Sequence, residues 1–272
     1  MMGRSHAWSG ILAGEVVVLP FSTGRELLLP GLLPVWPAPI AAMAIAICGG
    51  AAFLPDLDHT RSTVSRSLGF VTVAISWLVD RFSIELYHAT CGPRDKADRK
   101  SGHRLITHTP VGAVAFGLLV TLAVVTHPIV AAVTLGLLVC LLADGFKLAG
   151  LVLVVGAGTG GWWVTTVYPG WWWLWGPLVT LGAQIHREGD WCTVQGVPRR
   201  SWPRMIDGRR WDMVCTSGAF TAGDDTELTY VRPLLIGGVV VAGILALGGG
   251  PLLVDVFVAV VDAIRAFAGK ET

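Results

Sequence analysis

Charge is scarce in this sequence. Only 14% of its 272 residues are Asp, Glu, Lys or Arg and 53% are hydrophobic, whereas an ordinary soluble domain carries about 25% charged residues. That composition excludes a water-soluble globule. There is no block of like charge, no Gly/Ser linker and no internal repeat, and the net charge of +1 says nothing about nucleic acid. The five cysteines (Cys48, Cys91, Cys140, Cys192, Cys215) are odd in number and lack CxxC spacing, so they read as reduced packing residues outside any disulfide framework. An HExxH motif is missing, which speaks against a zincin-type protease. Near the start, Arg4 is a lone cation and no small-residue cleavage site closes a short apolar core, so the first residues are expected to belong to the mature protein.

What the chain does have is long apolar runs. Crossing the hydrocarbon core takes about 20 helical residues, and the candidates are Val35–Phe53, Pro110–Thr126, Pro128–Ala143, Leu148–Val167, Gly170–Ile185, Pro233–Gly249 and Pro251–Phe267, with a weaker stretch at Ala7–Pro20. The expected fold is all-α, a polytopic helical membrane protein. Residues 20–39 are broken by Pro20, Pro30, Pro34, Pro37 and Pro39 and read as irregular. The twelve apolar residues Leu68–Val79 are too few to cross, so they are expected to lie on the surface or re-enter. Six tryptophans crowd the connection around residues 162–175, as indoles do at headgroup level.

Against this apolar background, the stretch Phe53–His59 stands out. Asp56, Asp58 and His59 follow directly on an apolar run, where carboxylates are costly unless a cation or hydrogen bonds compensate them. His103 and His108 flank the start of the Pro110 span, and His186 and Asp190 stand four apart at the end of another, so that both can face one metal. With His6, these residues form a proposed ligand set of His6, Asp56, Asp58, His59, His103, His108, His186 and Asp190, with Glu227 as an outer candidate. Each has a plainer reading: the Asp-Leu-Asp stretch can cap a helix, and a lone interfacial histidine can contact headgroups. Topology favours the shared reading, because four crossings between Pro110 and Ile185 return His186 to the side of Asp56 and His108. Of the 20 Lys and Arg, that arrangement leaves only Arg25 on the far side, so by the positive-inside bias the ligand face is expected to be cytoplasmic. Imidazole mixed with carboxylate suits zinc, with manganese as the alternative. Eight or nine ligands exceed one ion, and clusters of two or three metals are a common device for hydrolysing phosphate esters.

The order of these motifs resembles the YdjM-like family of membrane-bound, metal-dependent hydrolases. The resemblance rests on His6, on Leu54 to His59, on His-Arg-x-x-Thr-His at His103 to His108, and on His186 with Asp190, and it runs on through Thr193, Gly196-Val197-Pro198 and Trp202-Pro203 to Gly223 and Glu227. It covers roughly residues 6 to 230. The family in turn looks distantly similar to zinc-dependent phospholipases C and single-strand nucleases, which implies phosphoester substrates. The expected organisation is a membrane-embedded hydrolase domain over 1–230 and a C-terminal pair of apolar helices over 231–272. Two or three divalent ions would activate water, Asp58 or Glu227 would take its proton, and Arg104 would steady a phosphate through paired N–H donors. Membrane lipids and a lipid or lipid-linked phosphoester are the expected partners. The competing class is a metal-ion transporter or metal sensor using the same ligands, and a third is a scaffold with a structural metal.

Overall fold

The structure, a computed structural model, describes residues 3–22, 35–67, 69–96, 99–148 and 151–247. Arg25, Pro30 and Pro34 of the proline-rich stretch, and the closing run Pro251–Phe267 with Asp255 and Asp262, lie outside the described residues. The chain is mostly helical. In order it forms α1 (Gly3–Val18), α2 (Ala38–Ala51), a short α3 (Thr63–Arg66), α4 (Phe70–Thr90), α5 (Pro110–Thr126), α6 (Pro128–Gly145), α7 (Leu151–Val167), α8 (Trp172–Trp191) and α9 (Arg232–Ala246). The sheet found among the described residues is a two-residue antiparallel ladder, β1 (Val197–Pro198) with β2 (Met213–Val214).

Local chemistry starts these helices where the sequence predicts. Pro110 and Pro128 occupy the first turns of α5 and α6, where a missing N–H costs nothing. Thr109 caps α5 by accepting from Gly112 N–H at 3.0 Å, and His127 caps α6 through Nδ1, accepting from Ile129 N–H at 3.1 Å. That cap accounts for His127, which lies outside the proposed ligand set.

α2 is the axis of the bundle, packing on α1, α6 and α8. Ile40, Ala44 and Ile47 of α2 share one core with Leu135 and Leu138 of α6 and with Trp175, Leu178 and Val179 of α8. Close approach is built in by glycine: a Cβ on Gly182 of α8 would stand 2.3 Å from the carbonyl oxygen of Cys48. Around this core the outward surfaces of α5 and α6 are apolar, with Leu118, Leu119, Leu122, Ile129 and Val133 all exposed. Among the described residues three helical stretches are long and apolar enough to cross a membrane, namely Ala38–Asp58, Pro128–Gly145 and Glu227–Ala246, and Pro110–Thr126 falls just short.

One sequence expectation changes, and two segments gain detail. Phe70–Val79, from the apolar run expected at the surface, is the exposed first half of a 21-residue helix, α4, whose buried stripe is polar: Thr72, Ser76, Ser83 and Tyr87. Trp175 is 1% exposed and belongs to the core, so the tryptophan cluster is not wholly a headgroup belt, although Trp162, Trp163, Trp172 and Trp173 are exposed as such a belt requires. The arginine-rich stretch after α8 is folded, because Trp211 packs with Tyr87 and Leu105 while Asp95 accepts from the backbone of Arg210 and Trp211.

Candidate metal centre

The turn after α2 carries the first donors. Pro55 prevents α2 from continuing, and residues Leu54–Asp58 tighten into a 3₁₀ turn. From it the Asp56 side chain stays 22% exposed while that of Asp58 is fully enclosed. Asp58 is held on all sides: it accepts from Arg104 N–H at 3.0 Å and from the Thr107 hydroxyl, its Oδ1 meets His103 Nδ1 at 2.9 Å, and its Oδ2 stands 3.3 Å from His108 Nδ1. Arg104 reaches this position in a left-handed conformation, φ 60°, which costs a non-glycine residue about 1–3 kcal/mol.

The imidazole orientations follow from these partners. His108 turns Nδ1 to Asp58 and to Thr107 Oγ1, the latter at 3.0 Å. His186, on the buried face of α8, points Nδ1 at the Ala52 carbonyl at 2.6 Å, so Nδ1 carries the proton and donates. Both Nε2 atoms therefore face inward, 3.2 Å apart. Asp190 Oδ2 stands 3.3 Å from His108 Nε2 and 3.7 Å from His186 Nε2, and Asp56 Oδ1 lies 3.5 Å from His186 Nε2. His6 completes the cluster from α1, its ring stacked on His186 at 3.7 Å and its Nε2 3.3 Å from Asp190 Oδ1.

This arrangement fits a divalent cation. Lone pairs of imidazole nitrogens and carboxylate oxygens aimed at one another repel unless something positive lies among them. Two nitrogens on a tetrahedral zinc, each about 2.0–2.1 Å from the ion, stand about 3.3 Å apart, close to the 3.2 Å between His108 and His186. His6 is 1% exposed, yet its Nδ1 has no hydrogen-bond partner and its Nε2 has only the 3.3 Å approach to Asp190, an expensive state for a buried polar group that coordination would relieve. Three donor sets are each able to hold a metal ion: His6 with His186 and Asp190, Asp56 with His108 and His186, and Asp56 with Asp58 and His103. Because His186 and Asp56 each belong to two sets, the sets form a continuous chain.

Charge balance points the same way. Burial disfavours a charged His108, but the carboxylates of Asp58 and Asp190 outweigh it and raise the imidazole to about 9. Without a metal, the pocket thus draws in a proton to offset its carboxylates.

Seven of the eight proposed ligands converge here. His59 is the exception: it is exposed, stacks on His103 at 4.8 Å and belongs to none of the three donor sets. Glu227 is fully buried in the turn leading into α9, where it accepts from Gly223 N–H at 2.7 Å, and it too is outside those sets. Arg104 is 6% exposed. Its guanidinium is engaged with Asp190 at 3.0 Å, Thr193 Oγ1 at 2.8 Å and the Gly196 carbonyl at 3.1 Å, so it holds the carboxylate of a proposed ligand, and its donors are taken up inside the protein. Sequence reasoning missed Arg187, which is buried and donates from Nε to the His108 carbonyl and from Nη2 to the Pro198 carbonyl. Its position beside His186 was the available signal. Thr107 was visible inside the His-Arg-x-x-Thr-His stretch, but its bond to Asp58 was not.

Among curated proteins and among solved structures nothing matches the chain. One family model does match, over residues 1–155, the part that carries His6, Asp56, Asp58, His103 and His108. His186 and Asp190 lie beyond it. The match covers more than half of the chain, which therefore belongs to the YdjM inner membrane protein family.

Proposed function

We propose that the chain is a multi-pass membrane hydrolase that uses two or three divalent metals, zinc first, to cleave phosphoester bonds of a lipid or lipid-linked substrate. The observation that carries this reading is the convergence of His108 Nε2, His186 Nε2, Asp190 Oδ2 and Asp56 Oδ1, with Asp56 and His103 partly open beside it. When bound, clustered divalent metals lower the pKa of coordinated water and stabilise charge on phosphoryl oxygens. The protein's own part is orientation. Ala52 fixes the tautomer of His186, Asp58 aims His103 and His108, and Arg104 holds Asp190. Asp58 has its oxygens committed to these partners, so it serves better as this positioning group than as a proton acceptor. Asp56, the more open carboxylate, is the group that faces incoming substrate.

The cytoplasmic side is proposed for the centre because exposed Arg61, Arg66, Arg94, Lys96, Lys100, Arg199 and Arg200 belong to the loops on its side of the bundle. Passage of a metal ion, the competing activity, would want ligands at mid-depth along the helices. Here the donors stand at helix ends and in turns, which supports an enzyme.

The test is elemental analysis of detergent-purified protein beside its Asp56→Ala and His186→Ala variants, followed by cleavage of bis(p-nitrophenyl) phosphate. Two or more metal equivalents in the wild type, reduced in both variants with a fall in rate of about 100-fold, are expected. A wild type that stays metal-free after reloading would sink the mechanism.

A further inference from the structure

We propose that α4 lies in the plane of the membrane interface against anionic phospholipid, and that the metal centre beside it takes its substrate laterally from that leaflet. The second half rests on the hydrolase reading above; the first does not. Between Phe70 and Leu78 every exposed residue is apolar, with Phe70 85% exposed and Trp77 and Leu78 each 58%. These nine residues span about 13 Å of helix at 1.5 Å each, less than half of the roughly 30 Å hydrocarbon core. Exposed cations bracket the run, Arg61 and Arg66 before it and Arg81 after it. With a charge at each end and too little length to cross, the run is confined to one interface, its apolar side about 5–10 Å into the headgroup boundary. Arg61 and Arg66 give that surface its preference for negative headgroups, whereas Arg81 is paired with Glu85 at 2.7 Å.

The opposite face of α4 explains why this places the site at headgroup level. Ser76 Oγ stands 2.9 Å from Ser65 Oγ, and Ser65 donates to the His59 carbonyl at 2.6 Å. Asp80 accepts from Gly102 N–H at 2.7 Å, one residue before His103. Both loops bearing the partly open donors are thereby fastened to the helix, and an amphiphile whose phosphoester sits among the headgroups reaches Asp56 and His103 without leaving the bilayer.

The experiment uses full-length protein in nanodiscs of phosphatidylglycerol and phosphatidylethanolamine, with exposed Cys91 and Cys215 changed to serine. A spin label is placed at Leu78→Cys or, as an aqueous reference away from α4, at exposed Arg204→Cys, and collisions with oxygen and with an aqueous nickel chelate are compared. The Leu78 label is expected to be sheltered from nickel by about tenfold relative to the Arg204 label while staying open to oxygen. Equal nickel exposure at both positions would overturn the docking, and shelter from both reagents would overturn it in favour of a protein cover such as a second copy. In the activity arm, Trp77→Glu with Leu78→Glu is expected to slow cleavage of bilayer phospholipid about tenfold and leave bis(p-nitrophenyl) phosphate turnover unchanged. A parallel fall on both substrates would overturn lateral access. A wild type inactive on both substrates would refute the hydrolase reading and lateral access with it, while the label depths would still decide the docking.

Discussion

At His108 a proton would compete with the proposed metal. In the metal-free protein its imidazole is raised from 6.5 to about 9 by Asp58 and Asp190 against the opposing effect of burial. A folded-state pKa above the unfolded one gives stability that is fully present below pH 6.5 and is lost as pH rises through about 9. Metal binding needs the bare Nε2, so at pH 7 loading should expel close to one proton from this residue. Calorimetric zinc titrations in buffers of different ionisation enthalpy count that proton; a heat independent of buffer at pH 7 would refute the assignment. Above about pH 9 the release should vanish and the affinity should stop climbing. Much of this residue chemistry was legible beforehand, because His, Asp and their spacing before a span name the donors directly. The supporting groups were not: the Ala52 carbonyl has no sequence signature, and Arg104 reads equally well as a phosphate binder until the structure shows Asp190 in its grasp.

For whole elements, the decisive contact is α2 against α8. Gly182 brings the two backbones together one turn before His186, so a Cβ there would meet both the Cys48 carbonyl and, at 2.8 Å, the Ala51 side chain. Gly182→Ala should cost about 1–3 kcal/mol and also draw His186 Nδ1 away from Ala52, lowering metal occupancy. Gly161→Ala is the control. It makes a comparable clash with the Ala132 carbonyl at 2.6 Å between α7 and α6, and should destabilise without affecting metal. Equal loss of metal in both variants at matched stability would contradict the role given to the α2–α8 seam. The helices themselves were readable from proline starts and apolar length. α4 was only half readable, because its buried side carries hydroxyls and Asp80 where an ordinary amphipathic helix carries leucines, and a search for apolar runs ends where those polar contacts to neighbouring loops begin.

On the scale of the whole molecule, the proposed orientation sets the two exposed cysteines, Cys91 and Cys215, on the same side as the metal centre. A membrane-impermeant maleimide should label both in inverted vesicles and neither in intact spheroplasts. Labelling from the outside would reverse the sidedness argued from the cationic loops. An even number of crossings between Asp56 and His186 was a sequence expectation about parity, and the meeting of those side chains at 3.5 Å is the local contact such a count requires.

The donors of the centre come from positions as far apart as His6 and Asp190, and the Ala52 carbonyl that sets one of them closes no bond within α2. A chain still emerging from the ribosome can insert α1, α2, α5 and α6 and yet own only the Asp56, Asp58 and His103 donor set. The other two wait for α8. On the proposed function, metal capture at full stoichiometry is thus a late event of assembly, withheld until α8 is in place with only α9 of the described helices still to follow.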